Sequence, residues 1–261
     1  AQLERGSFEA WKLLAQARVG QGDADGAAKT FRKALELKPE DADVKRRLAE
    51  VLAADERGGE ADEIFTQILE ENPGDLEAAR RVARLRLEKG DRVGAIQALE
   101  TAERAAEPDG ALLEEIAKLC LEAGKFDKAI SRADKAIAVG RDGAAVRIVK
   151  GRAYLALGEK DMAFNEIMMV TYLQPDLAQA RLELGKILVE QERYEEALKE
   201  LEAGMQSEEA KTDPEALRAL GRTLVELDRP REAIEILTGL LDADPADGAV
   251  HNALARGYFA V

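Results

Sequence analysis

Six cations recur along the chain at nearly one spacing: Arg84, Lys118, Arg152, Lys186, Arg222 and Arg256. Neighbours lie 34 residues apart, except Lys186 and Arg222, which lie 36 apart. Lys and Arg together are only 38 of 261 residues, so composition alone does not produce such a run. Three residues beyond each cation stands an apolar side chain: Leu87, Leu121, Leu155, Val189, Val225 and Phe259. Ile148 and Leu182 stand four residues before Arg152 and Lys186. On a helix, side chains three and four apart share a face. The chemistry open to this pattern is recognition, with cations meeting carboxylates and the adjoining track taking apolar anchors. It suits an acidic or amphipathic segment of another protein, with its hot spot expected at Ile148, Arg152, Leu155, Leu182, Lys186 and Val189. A plainer reading stays open. Glu88, Glu122, Glu190 and Glu226 each follow a ladder cation by four residues. Exposed pairs within one helix, worth roughly 0.2–0.5 kcal/mol each, give the same pattern.

Catalytic chemistry finds little to work with. His251 is the one histidine, so no histidine pair can hold a metal, and no Ser or Cys stands in helical register beside it. Cys120 is the one cysteine, at a position expected to be packed, and reads as an inert core thiol. Serine is scarce (Ser7, Ser131, Ser207), and none sits in a nucleophile elbow. The run from Gly26 to Thr30 lacks the contiguous Gly-Lys-Thr of a phosphate loop. Neither an enzyme nor a metal or other cofactor is expected.

Composition bounds the rest. Hydrophobic residues are 46%, enough for a core, while aromatics are only 4%. An Ala-, Leu- and Glu-rich chain of this kind favours helices over sheets. The net charge of −14 opposes a nucleic-acid partner, and no aromatic interleaves with the ladder except Phe259. No apolar run approaches the ~18 residues of a membrane span. One cysteine excludes a disulfide framework and fits cytoplasm and periplasm equally.

The spacing of the cations is the spacing of the whole chain. Pro39, Pro73, Pro175 and Pro245 close helical Ala/Leu runs at the same period, with two residues inserted near Ser207–Asp213. One position is always small: Ala15, Ala49, Ala83, Ala117, Gly151, Gly185, Gly221, Ala255. Another is always alanine: Ala27, Ala61, Ala95, Ala129, Ala163, Ala197, Ala233. Small residues let two helices approach, and large ones such as Leu48, Phe65, Ile167 and Leu201 fill the remaining volume. A Gly or polar residue ends each first helix, and Pro ends most second helices.

Trp11-x2-Leu14, Gly151-x2-Tyr154, Ala27-x3-Phe31 and the closing prolines resemble the tetratricopeptide repeat. The resemblance covers essentially the whole chain. It places repeats at about 8–41, 42–75, 76–109, 110–143, 144–177, 178–213 and 214–247, with a final helix at 248–261. It implies an all-α fold, a right-handed superhelix of antiparallel helix pairs read as one solenoid over 1–261. First helices would line a groove and second helices the back. Glu107 and Arg141 replace the closing proline, and Lys150 stands where the family has a buried Leu. Members that clamp a C-terminal carboxylate use Lys and Asn where this chain has Gln16 and Arg47, so that groove is not expected. The resemblance implies a non-catalytic scaffold or adaptor that binds another protein. The rival reading is an assembly subunit of an envelope, secretion, pilus, motility or polysaccharide-export complex.

Two further features stand out. The second helix of repeat 5 carries Met168, Met169 and Tyr172 where other repeats mostly have polar or small residues. These make either a second interface or extra packing against Leu198 and Leu201. The last helix is apolar (Tyr258, Phe259, Val261), whereas a capping helix has a polar outer face. That end, and a start without Met, read as a fragment of a longer array or as an end for self-association.

Overall fold

The period becomes a chain of helix pairs in the structure, a computed structural model that describes residues 2–107, 109–207 and 210–260. Of the insertion expected near Ser207–Asp213, residues 208 and 209 lie outside the described residues, as does Val261. The helices group into two compact units, Ala1–Leu119 and Cys120–Val261. The first holds α1 (Gln2–Gly20), α2 (Ala24–Leu37), α3 (Ala42–Ala54), α4 (Gly58–Glu71), α5 (Leu76–Glu88) and α6 (Arg92–Ala105). The unit boundary falls within α7 (Gly110–Glu122). The second unit holds α8 (Phe126–Ala138), α9 (Ala144–Ala156), α10 (Lys160–Leu173), α11 (Ala178–Glu190) and α12 (Tyr194–Gly204). It continues with α13 (Pro214–Glu226), α14 (Pro230–Ala243) and α15 (Gly248–Ala260). No strand occurs among the described residues. Odd-numbered helices are the first helices of the repeats and even-numbered ones the second, and from α3 onward each first helix begins where the period sets it.

Local chemistry explains where the helices start and stop. Asp23, Asp41, Asp75, Asp91 and Asp213 cap α2, α3, α5, α6 and α13, each accepting a backbone N–H of the first turn. The turn after each first helix needs one left-handed residue. Four repeats supply Gly22, Gly90, Gly124 and Gly158; the others use Glu56, Glu192 and Asp228 in the same conformation. The latter three carry a strain of about 1 kcal/mol each. Arg141 replaces a closing proline, and there Gly140, at φ 88°, ends α8 instead.

Packing follows the recurring positions. The seven invariant alanines are fully buried, and Phe31, Phe65, Leu99, Ile167, Leu201 and Leu237 pack beside them. In α9, α11 and α13 the small position tightens to glycine. A Cβ on Gly185 would lie 2.5 Å from Leu201 Cγ, and one on Gly221 would lie 2.5 Å from Leu237 Cγ. Lys150 departs from its buried neighbours Leu184 and Leu220 without opening the fold. Its ammonium bonds Asp134 of α8 at 2.8 Å and Glu166 of α10 at 2.6 Å. Arg147 shares Glu166 at 2.7 Å, so the half-buried charges are matched.

Candidate functional site

In the second unit each first helix touches the next: α9 meets α11, α11 meets α13, and α13 meets α15. Along this face lies a cavity of about 350 Å3. Its apolar wall is Leu155, Val189, Ala219, Ala249, Val250 and Ala253, with Leu237 of α14 behind it. Its charged lining is Lys186, Arg218, Arg222, Glu190 and Glu215. The cavity exists because α13 and α15 carry alanine, Ala219 and Ala253, where other first helices carry Arg47, Arg81, Glu115, Val149 or Glu183.

The ladder cations pair in two ways, within a helix in the first unit and between helices in the second. Arg84 pairs forward within its helix, with Glu88 at 3.5 Å, and Lys118 pairs backward, with Glu114 at 2.6 Å. In the second unit the cations join one repeat to another. Arg222 reaches Glu190 of the preceding first helix at 2.6 Å, and Arg256 reaches Glu226 at 2.7 Å. Lys186 reaches Glu215 of the following first helix, α13, at 3.0 Å. Arg152 donates to Glu183, a buried carboxylate whose same oxygen also takes Lys186 at 3.1 Å. A second row does similar work. Arg46, Arg80 and Arg218 hold Asp75, Asp109 and Asp247, each at the start of the next first helix. Asp247 also accepts the N–H groups of Ala249 and Val250, so Arg218 fixes the entry of α15 into the cavity wall.

The expected site residues therefore divide. Leu155, Lys186, Val189 and Arg222 meet at one cavity, and Arg152 joins it through Glu183. Ile148 and Leu182 do not line it; they are buried in the core with Ile167 and Leu201, because their side chains turn between helix layers. Val189 is also nearly buried and offers only an edge. Leu121 is half-buried near the end of α7, and Arg256 pairs outside the lining. Arg84 and Lys118 belong to the first unit. Met168, Met169 and Tyr172 are exposed rather than packed on α12. Cys120 is buried, and His251 is exposed, with Nδ1 2.8 Å from the Asp247 carbonyl. Among the described residues no cluster of acidic, His or Cys side chains could hold a metal, and no helix is long and apolar enough to cross a membrane.

These pairs set the charge states of the lining. Lys186 is held above its ordinary 10.5: burial pushes it down, but Glu183, Glu215 and Asp213 outweigh that. Glu215 is held below its ordinary 4.5, first by the hydrogen bond from Lys186. Asp247 is held below 3.8 by the Val250 N–H and by Arg218. A lowered carboxylate stabilises the fold above its ordinary range, and that contribution is lost as pH falls through the lowered value. The raised Lys186 contributes below its ordinary range and loses that contribution as pH rises through the raised value. Thermal melts should therefore be flat across neutral pH and fall below about pH 4, where Glu215 and Asp247 take up protons. In a Glu215→Gln/Asp247→Asn variant that acid limb should be shallower.

The profile of the cytochrome c-type biogenesis protein H tetratricopeptide domain matches residues 3–111. Two general tetratricopeptide profiles match residues 115–167 and 188–257. Among solved structures, a tetratricopeptide repeat protein from Parabacteroides merdae ATCC 43184 superposes with a TM-score of 0.61 at 14% identity, over 97% of this chain and 99% of that one. PilW, a widely conserved type IV pilus biogenesis factor, gives 0.62 at 15% identity, over 82% and 99%. YrrB, a tetratricopeptide protein with an unusual peptide-binding site, gives 0.53 at 18% identity, over 72% and 96%. At such identities the likeness concerns the fold. No curated protein sequence matches the chain.

Proposed function

Because the chain belongs to the tetratricopeptide repeat family, we propose that it is a non-catalytic interaction scaffold that takes a partner segment into the cavity between α9, α11, α13 and α15. The observation that carries this reading is the lining itself, an apolar wall edged by Lys186, Arg218 and Arg222 in a protein of net charge −14. A pocket with an apolar wall and a few convergent polar groups suits one bulky side chain held beside a carboxylate. The cations already have partners, yet this does not close the site. A guanidinium has five N–H donors in a fork. Arg218 uses Nε for Asp247, and Arg222 uses Nη1 for Glu190, so each fork can take a second carboxylate without releasing the first. An acidic residue on the partner would bond the guanidinium donors that Arg218 and Arg222 leave unused at the edge of the apolar wall. The match of residues 3–111 to a biogenesis-protein domain supports a partner that is a component under assembly.

The test is selection from a phage-displayed random peptide library on the immobilised whole chain. Enriched peptides should share a large apolar residue next to Asp or Glu, and their binding should weaken as salt rises. A library that yields no enriched sequence, or one enriched in Lys and Arg, contradicts the reading.

A further inference from the structure

One helix of the second unit has more apolar surface than its place in the fold uses. Inward, α10 buries Ala163, Ile167 and Val170, as a second helix of a repeat should. Outward, a second row runs Met162, Asn165, Met169, Tyr172, at steps of three and four. Met168 and Leu173 flank it. Exposure is 45% for Met162, 40% for Met168, 44% for Met169, 81% for Tyr172 and 63% for Leu173. Every other repeat keeps a polar side chain at two or three of the positions of Met162, Met169 and Tyr172, as with Glu60, Gln67 and Glu70 on α4, or Glu196 on α12 and Gln206 just beyond it, the remainder being Gly or Ala. The outward face of α10 alone has shed these polar groups, and a helix apolar on both sides is one covered on both sides. Met and Tyr are enriched at interface cores and charge is depleted there. The three-four step is the one by which two helices interdigitate.

We infer that this face receives a second copy of the chain, α10 against α10 across a two-fold axis. Charge decides between occupants. A cationic partner would be met by carboxylates, but the face holds no charged residue at positions 162, 165, 168, 169, 172 or 173. Exposed Asp161, in register with Met168 and Tyr172, stands at its N-terminal end and accepts from Gln191 at 3.1 Å. Glu166, on its edge, is committed to Arg147 and Lys150. Two copies each of net charge −14 repel, and they can meet only where neither presents a charge. An antiparallel contact around Met169 and Tyr172 sets apolar positions of one copy on those of the other, with Met adapting to the fit. Covering all of these exposed side chains in both copies would bury at most roughly 1,000 Å2, the size of a weak, reversible contact. The dimer carries two cavities, which gives a scaffold avidity for a partner that repeats its segment. Salt separates the two surfaces, since screening strengthens a contact between like-charged copies and weakens one between cations and carboxylates.

The test is sedimentation equilibrium of the whole chain over micromolar concentrations, at low and high salt, with melting curves recorded alongside. The wild type should dimerise reversibly, more tightly at high salt. Met169→Asp and Tyr172→Asp should each weaken the dimer at least tenfold with unchanged melting, since both side chains are exposed. Phe259→Asp, on α15, should leave it intact. A monomeric wild type, a dimer that survives Met169→Asp and Tyr172→Asp, or one equally lost with Phe259→Asp would overturn the inference.

Discussion

Replacing Ala219 by tryptophan is expected to weaken partner-segment binding about 100-fold or more, with little change in stability. Ala219 is half-buried on α13 and forms part of the apolar wall. An indole at that position grows into the cavity rather than into the core, so it takes the space a partner side chain would fill. Loss of one central apolar anchor typically costs about 2–4 kcal/mol, and 2.7 kcal/mol is the hundredfold change. Ala219→Ser keeps the size and should bind within a few-fold of wild type. Titration calorimetry with one selected peptide against the three proteins reads this directly. Equal affinity for the tryptophan variant would move the binding surface away from α13.

Glu183→Ala is the substitution expected to destabilise the second unit most, by about 3 kcal/mol. Glu183 is 3% exposed, and one of its oxygens takes both the Arg152 guanidinium and the Lys186 ammonium. Removing it leaves Lys186, itself largely buried, with less compensation than its desolvation requires. Breaking a buried pair from one side costs about 3–5 kcal/mol. The lower end applies because Lys186 keeps Glu215 at 3.0 Å and Arg152 is partly in solvent. Glu183→Gln retains an acceptor and should cost about half as much. Urea denaturation followed by circular dichroism measures both. A shift below about 1 kcal/mol for Glu183→Ala would show that the network is not holding α9 to α11.

Most of the fold was legible in the sequence because packing rules are local. The invariant alanines and the small position leave one way to stack a helix pair, and the structure buries Ala27, Ala61, Ala95 and their counterparts as that stacking requires. The candidate site was legible only in part. The period marks Leu155, Lys186, Val189 and Arg222, which line the cavity. The period cannot say whether Ile148 and Leu182 point into a groove or between helix layers, since both are apolar residues on a first helix; the structure puts them in the core. Nor can it give the partners of the ladder. Sequence shows Glu226 four residues after Arg222, whereas Arg222 bonds Glu190, 32 residues earlier, because neighbouring first helices lie within reach of one long side chain. The signal for the cavity was present but small, two alanines, Ala219 and Ala253, where bulkier residues otherwise stand.

The claim that a partner segment enters this cavity is tested most directly by amide hydrogen exchange of the whole chain, with and without a saturating selected peptide. Slowed exchange is expected in α11, α13 and α15, centred on residues 186–190, 215–222 and 249–253, with Met168–Leu173 unchanged. Protection confined to α10 or to residues 2–107, with α13 and α15 exchanging as in the free protein, would contradict it.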